Sequence, residues 1–379
     1  MSEDSKKEQL SVFQSAIADN LGPIAALIDD DSVSEIMING PDEIFVERAG
    51  KIVKAEGISF DDEDALRAAI NAVAGSVGRR ITDEEPRLDA RLPDGSRIHA
   101  VLPPMSRKGT TVAIRKFFKS EMTFKDYVKL GALPINAAQF LDASMKLGKN
   151  ILVSGGTGSG KTTLLGLLTG RIPPGQRIIV IEDSTELKVD YEHVVFFETR
   201  MSDELGEGEV SIRDLVVSSL RLRPDRIIVG EVRGSEALEL IQAMNTGHKG
   251  CMGTVHANAA SEALTRLQAL AQGGDSKISE TALIMQIASA IDLVVQVSRY
   301  ADGSRRVHSI TEVLGLDERG RYQVQDVFKM SRLVKQPDGR LKGQLEPNIE
   351  PTFMAEIEDN AMPIPRSQFK VKKNTKKAA

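Results

Sequence analysis

One short segment constrains the fold of this chain more than any other. The apolar run Ile151-Leu152-Val153 leads into a glycine-rich stretch with the spacing Gly-x4-Gly-Lys-[Ser/Thr] from Gly155 to Thr162, and an apolar helical pattern follows over 164–168. A strand, a loop of this composition and a helix in this order are typical of a loop that binds nucleotide phosphates. The glycines let backbone N–H groups approach phosphate oxygens, and the helix N-terminus adds partial positive charge. The pattern predicts an α/β fold with a nucleotide at the end of a strand.

The residues predicted to bind the nucleotide are those of the loop and of the first helical turn. They are Gly155, Gly156, Thr157, Gly158, Ser159, Gly160, Lys161, Thr162 and Thr163. We expect Lys161 to reach the β- and γ-phosphate oxygens and the Thr162 hydroxyl to coordinate Mg2+. The sequence therefore predicts ATP and Mg2+ as cofactors, with Thr162 as the protein ligand of the metal.

Two further acidic residues end apolar runs of the same kind. The run Ile227-Ile228-Val229 passes through Gly230 to Glu231, and Ile178–Ile181 is followed by Glu182. In a parallel sheet the carboxyl ends of the strands face the ligand, so Glu231 is predicted to act as the general base that activates water. Glu182 is predicted to hold a Mg2+-bound water or the nucleophile. Gly230 stands where many phosphate-loop enzymes carry a Mg2+-binding aspartate, so we expect the metal to rely more on Thr162 and water.

The length of 379 residues suggests about two or three domains. Strands that are apolar on both faces alternate with helical patterns in the second part of the chain, which is typical of a buried, mostly parallel sheet. The first part mixes short strands and helices. The predicted organisation is a polar tail over 1–9, an α+β domain over 10–117, a linker over 118–123, an ATPase domain with a C-terminal extension over 124–345, and an irregular, partly disordered basic tail over 346–379.

Composition excludes several classes of protein. The single cysteine, Cys251, rules out an internal disulfide framework and a cysteine-cluster zinc site. The formal net charge of −5 disfavours a whole-surface nucleic-acid binder. Apolar runs are far shorter than the ~20 residues of a membrane span, and the N-terminus has no apolar signal region. We expect a cytoplasmic protein with only peripheral membrane contact.

The motifs together resemble the secretion and pilus motor ATPases of the type II/type IV secretion superfamily. Four match in order: the phosphate loop, an aspartate box over 181–186, a second acidic motif over 222–231, and a histidine box over 253–258. The resemblance implies a homohexamer whose RecA-like domain follows a smaller α+β, PAS-like domain. It also implies that Arg97 and Arg115 of the smaller domain close over the γ-phosphate, and it assigns His256 to the catalytic site.

Within the superfamily the sequence looks most similar to the Tad (Flp) pilus assembly ATPases of the CpaF/TadA type. The stretches Glu198-Thr199-Arg200 and 223–234, and the chain beyond Arg305, carry this likeness. It implies a cytoplasmic motor, peripheral to the inner membrane, that acts on membrane platform proteins and powers pilus assembly; whether it also drives retraction stays open. A conjugative or effector type IV secretion ATPase is the alternative. A RecA-like nucleic-acid motor and a non-hydrolysing scaffold are more distant ones, and no nucleic acid is expected as a partner.

Overall fold

The computed structural model describes residues 21–48, 50–92, 94–116, 122–200, 202, 207–273 and 278–369. The chain divides into two compact units, Met1–Ser120 and Glu121–Ala379, and each is described by itself. The predicted polar tail over 1–9, most of the predicted linker over 118–123, and residues 370–379 of the predicted basic tail lie outside the described residues.

The first unit is an antiparallel six-stranded sheet with helices on one face. Its strand order is β3-β2-β1-β6-β5-β4. The bounds are β1 Val33–Asn39, β2 Ile44–Arg48, β3 Lys51–Lys54, β4 Arg87–Arg91, β5 Arg97–Val101 and β6 Thr111–Arg115, with helices Gly22–Asp29 and Glu63–Ser76. Ile36, Ile98 and Ile114 are fully or almost fully buried in one cluster with Leu66 and Ile70 of the second helix. That helix begins where the Asp62 carboxylate accepts a hydrogen bond from the Ala65 N–H.

The second unit is built on a nine-stranded mixed sheet in the order β17-β14-β13-β12-β7-β11-β10-β8-β9. Neighbouring strands from β12 to β9 in this order run parallel to each other. The pairs β12/β13, β13/β14 and β14/β17 are antiparallel. The bounds are β7 Ile151–Gly155, β8 Ile178–Glu182, β9 Val194–Glu198, β10 Arg226–Val229, β11 Met252–Val255, β12 Leu293–Arg299, β13 Arg305–Leu316, β14 Tyr322–Met330 and β17 Leu345–Pro347, with a small hairpin of β15 Val334–Lys335 and β16 Leu341–Lys342. The predicted α/β class is confirmed.

Helices cover both faces of this sheet, which is why its central strands are apolar throughout. Ile151 and Val153 of β7 belong to one buried cluster, and Leu152 between them belongs to the other. Alternate side chains of a strand point to opposite faces, so each strand contributes to both cores. The helices are Phe124–Lys129, Ile135–Lys146, Lys161–Thr169, Ile212–Ser219, Glu236–Asn245, Ala260–Gln272, Glu280–Ala290 and Met354–Asp359, with a 3-10 turn over Arg366–Phe369. None of the helices in the described part of the chain is long and apolar enough to cross a bilayer.

The C-terminal segment differs from the expectation of an irregular, partly disordered tail over 346–379. Residues up to 369 are ordered onto the second unit, where Met354, Ile357 and Phe369 are buried. The Phe369 ring lies 5.9 Å from that of Phe140 and 5.7 Å from that of Phe328. The prolines of this segment suggested an irregular chain, but its few apolar side chains complete an existing core. Residues 370–379 lie outside the described part.

Candidate nucleotide-binding site

The glycine-rich loop connects β7 to the helix Lys161–Thr169 at the carboxyl end of the strand. Gly155 ends the strand where no side chain fits, because a β-carbon there would lie 2.5 Å from both Ser159 Oγ and the Val297 carbonyl oxygen. Gly160 precedes the helix in the left-handed conformation, at a φ of +94°. Lys161 Nζ lies 3.3 Å from the Gly156 carbonyl oxygen, to which it donates. The Lys161 side chain therefore extends back from the end of the glycine-rich loop to its beginning.

The carboxyl ends of the neighbouring parallel strands bring the other predicted residues to the same edge of the sheet. Glu182 ends β8, Glu231 follows β10 by two residues, and His256 follows β11 directly. Strand β11 lies between β7 and β10. Because adjacent strands are about 4.8 Å apart, Glu231 leaves the sheet roughly 10 Å from the strand that carries the loop. That separation leaves space for a phosphate chain between them.

Glu182 is held in place by the backbone that follows its own strand. Its side chain is buried, and Oε1 accepts hydrogen bonds from the N–H groups of Glu186 and Leu187, both at 3.0 Å. A β-carbon at position 230 would lie 2.8 Å from Glu182 Cγ. The glutamate side chain thus fills the space beside β10 that a side chain at position 230 would need.

Glu231 is joined to a cation that the sequence interpretation did not include in the site. Arg233 Nη2 lies 2.5 Å from Glu231 Oε2, and Arg233 Nη1 lies 3.2 Å from Asp183 Oδ2. Although partial burial opposes its charge, the Glu231 and Asp183 carboxylates raise the pKa of Arg233 above its usual value. Arg233 is therefore a fixed positive charge between the ends of β8 and β10.

The turn that carries Arg233 is ordered by a second buried acid. Glu236 Oε1 accepts hydrogen bonds from the N–H groups of Arg233 (2.6 Å) and Gly234 (2.8 Å). The sequence indicates Arg233 through one feature, its spacing of two residues from Glu231. The sequence indicates Asp183 through its position directly after Glu182.

His256 is exposed at the start of the loop after β11. The loop is tied to the sheet through the Ala257 carbonyl oxygen, which accepts from Gln296 Nε2 at 3.2 Å and from Ser154 Oγ at 3.4 Å. Strand β11 itself is fixed to the Glu231 segment, because Thr254 Oγ1 donates to the Gly230 carbonyl oxygen at 2.7 Å. His256 therefore directly follows the strand that lies between the strand of the loop and the strand of Glu231.

Arg97 and Arg115 belong to the first unit, where the structure places them side by side. Arg97 begins β5 and Arg115 ends β6, and they are direct cross-strand partners. Arg91 of β4 is opposite Arg97 in the same row. Direct partners project from the same face of a sheet, so three guanidinium groups share one polar row.

The donor set suits Mg2+ bound together with a nucleotide. No cluster of three or more His, Cys, Asp or Glu side chains that could hold a metal by itself occurs in the described ranges. Mg2+ in phosphate sites takes few protein ligands and completes its octahedron with phosphate oxygens and water. The Thr162 hydroxyl at the first turn of the helix and the nearby carboxylates are oxygen donors of that kind.

Comparison with known proteins identifies the family. The family model described as "Type II/IV secretion system protein" matches residues 17–339. The chain belongs to this family. It is 35% identical over 304 residues to the conjugal transfer protein TrbB of Rhizobium radiobacter, covering 79% of this chain and 90% of that protein. It is 33% identical over 330 residues to the type IV secretion system protein VirB11 of Bartonella quintana, covering 76% of this chain and 91% of that protein.

A solved structure shares the fold of this family member. The crystal structure of the pilus retraction motor PilT with bound ADP aligns at a TM-score of 0.53 and 21% identity, covering 89% of this chain and 86% of that one. At this identity the likeness concerns the fold alone. The type II/type IV secretion family predicted from the motifs is confirmed, whereas the narrower likeness to Tad pilus ATPases stays a prediction.

Proposed function

We propose that this chain is an ATP hydrolase that powers a type IV secretion machine of the conjugal transfer or effector kind. The observation that carries the proposal is the convergence of the Lys161 loop, Glu182 and Glu231 at one edge of a parallel sheet. The names of the TrbB and VirB11 relatives favour this cargo over pilus assembly, which was the main expectation from the sequence.

Each predicted residue has a role in the proposed reaction. The loop N–H groups and Lys161 bind the phosphates, and Thr162 holds Mg2+, which supplies charge neutralisation when bound. Glu231 accepts a proton from the attacking water. Arg233 orients Glu231. Glu182, which the N–H groups of Glu186 and Leu187 hold in place, would hold a Mg2+-bound water or the nucleophile. His256 would contact the γ-phosphate or the water.

The wider architecture is part of the same proposal. The strand order supports a RecA-like core, and the first unit would be the PAS-like domain of the family. We propose that the protein works as a homohexamer at the cytoplasmic face of the inner membrane, against platform proteins. Arg97 and Arg115 would supply positive charge to the γ-phosphate, since arginine stabilises the charge that develops in phosphoryl transfer. Loss of that phosphate would release them and produce motion.

The decisive test measures nucleotide binding and phosphate release separately. Lys161→Ala should abolish ATP binding, and Glu231→Gln should bind ATP while hydrolysing it at least about 100-fold more slowly. Hydrolysis at the wild-type rate by the Glu231→Gln variant would refute the base assignment. Micromolar ATP binding by the Lys161→Ala variant would refute the role of the loop. Light scattering with and without nucleotide measures whether a hexamer forms.

Tad pilus assembly remains a second candidate, supported by one feature. The ordered segment through Phe369 continues past residue 339, where the family match ends. The two candidates differ in cargo, so a chromosomal Glu231→Gln substitution separates them. Loss of DNA or effector transfer with normal pili supports the first candidate, and loss of pili with normal transfer supports the second.

A further inference from the structure

A pair of arginines stands at the end of the hairpin beside the glycine-rich loop. Arg299 ends β12, Arg305 begins β13, and the two are direct partners in the antiparallel ladder. The connecting turn closes with a hydrogen bond of 2.8 Å from the Tyr300 N–H to the Ser304 carbonyl oxygen. Because Val297 pairs with Gly155 in the parallel ladder of β12 and β7, the hairpin continues past the sheet edge alongside the loop.

The two side chains lie against the loop. A β-carbon at position 158 would lie 3.3 Å from Arg299 Nη1, and one at position 160 would lie 3.8 Å from Arg305 Cδ. Gly158 and Gly160 have φ angles of +66° and +94°, so the turns of the loop present bare backbone to the arginines. The guanidinium of Arg299 therefore lies beside the segment whose N–H groups are predicted to bind the phosphates.

The positive charges beside the glycine-rich loop favour the binding of an anion. Like charges directly opposite one another in a sheet are destabilising, and Lys161 adds a third cation to the same loop. Both arginines also interact with other groups of the protein, and a bound phosphate would share them. Arginine matches phosphate oxygens with two parallel donors, which lysine does not.

Two buried hydroxyl groups at this end of the site make no hydrogen bond within the described residues. Ser159 of the loop is 2% exposed and Tyr127 is 4% exposed, and neither side-chain oxygen has a partner. Burial raises the pKa of Tyr127, while the charge of Arg305 acts on the hydroxyl in the opposite direction. Buried hydroxyl donors without an acceptor cost free energy, and Ser159 places one such donor within the loop itself.

We propose that Arg299 and Arg305 bind the α- and β-phosphates of the nucleotide from the side of β12, within the same subunit. This inference rests on the proposed ATPase function and adds two binding residues to it. The α/β assignment follows from the loop, because its backbone N–H groups cradle these phosphates and the arginines lie against the same backbone. They hold the part of the nucleotide that ATP and ADP share, so they would retain ADP after hydrolysis.

The test is calorimetric titration of Mg2+ with ATP, and separately with ADP, into the full chain carrying Arg299→Gln, Arg305→Gln or both. Each single variant should weaken ATP and ADP binding alike, by about tenfold or more, and should reduce the salt dependence of binding. The control is Arg319→Gln, an exposed arginine in the turn between β13 and β14, which should bind both nucleotides as the wild type does.

Three outcomes would overturn the inference, and a fourth would refute the proposed function instead. Unchanged affinities in a double variant with wild-type thermal stability would remove the arginines from the site. Weaker ATP but unchanged ADP binding would move them to the γ-phosphate. The glutamine variants could also have a lower melting temperature without weaker nucleotide binding. If the Arg299→Lys and Arg305→Lys variants gave the same result, the two arginines would have a structural role only. A wild-type chain that binds neither nucleotide would refute the ATPase proposal itself.

Discussion

The side chain of Glu182 packs against the α-carbon of Gly230 so closely that a β-carbon at position 230 would lie 2.8 Å from Glu182 Cγ. Glu182 ends β8 and Gly230 directly follows β10. The two strands are adjacent, and Ile181 of β8 is paired with Val229 of β10. Glu182 cannot move away freely, because the N–H groups of Glu186 and Leu187 hold its carboxylate. A side chain at position 230 and this placement of Glu182 therefore exclude each other.

The first prediction concerns this contact. Gly230→Ala should force Glu182 off its backbone donors, destabilise the protein by about 1–3 kcal/mol and reduce ATP hydrolysis at least tenfold. Thermal unfolding and phosphate release measure the two effects. Gly75→Ala adds the same methyl group where nothing lies within 4 Å, within the helix Glu63–Ser76. It should leave hydrolysis unchanged and should not lower stability, since alanine is favoured over glycine in a helix by up to about 1 kcal/mol. Wild-type stability and activity in the Gly230→Ala variant would show that Glu182 has another position to occupy.

The second prediction concerns Arg233, which bridges Glu231 and Asp183. Arg233→Gln should lower kcat about tenfold or more with little change in KM, because it frees the proposed base from its position without removing a phosphate contact. Arg233→Lys should recover only part of the rate, since an ammonium cannot bind both acids with the same planar geometry. A fall in ATP affinity with unchanged kcat would place Arg233 on the nucleotide instead.

Much of the fold was predictable because its signals are local. The loop from Gly155 to Thr162 needs a strand before it and a helix after it, and runs such as Ile227-Ile228-Val229 fit only a sheet covered on both faces. Once the strands are parallel, the convergence of Glu182 and Glu231 follows from chain direction alone.

The features that sequence reasoning missed depend on contacts between distant segments. Arg299 and Arg305 look like ordinary hairpin residues until the register of β12 on β7 places them beside the loop. The burial of Phe369 depends on Phe140, more than 200 positions earlier in the chain. No spacing pattern in one stretch of sequence carries such information.

The third prediction concerns the metal. Thr162→Ala should raise the Mg2+ concentration needed for half-maximal hydrolysis by at least severalfold, because it removes the hydroxyl predicted to ligate Mg2+, and should leave metal-free ATP binding nearly unchanged. Thr265→Ala, on the helix Ala260–Gln272, is the matched control. Equal Mg2+ dependence in both variants would exclude Thr162 as a ligand.

The fourth prediction concerns the ordered C-terminal segment. Phe369→Ala should cost about 3–5 kcal/mol of unfolding free energy in the second unit, the range for removing a buried ring, because Phe369 is 4% exposed and packs on Phe140 and Phe328. Urea unfolding followed by tyrosine fluorescence and circular dichroism measures the loss. Phe196→Ala, at a ring that is 41% exposed, should cost less than about 1 kcal/mol. Similar losses for both would mean that the segment adds little to the core.

The fifth prediction separates chemistry from binding at His256, which is exposed between the strand of the loop and the strand of Glu231. If the imidazole contacts the γ-phosphate or the attacking water, His256→Ala should lower kcat at least tenfold, because a positioned acid–base or hydrogen-bonding group contributes about that much or more. The dissociation constant of ADP should stay the same, since ADP lacks the γ-phosphate. His193→Ala is the control, because His193 directly precedes β9 at the opposite edge of the sheet. A His256→Ala variant with wild-type kcat would leave this histidine outside the catalytic site, and one with weaker ADP binding would assign it to the phosphates nearer the loop.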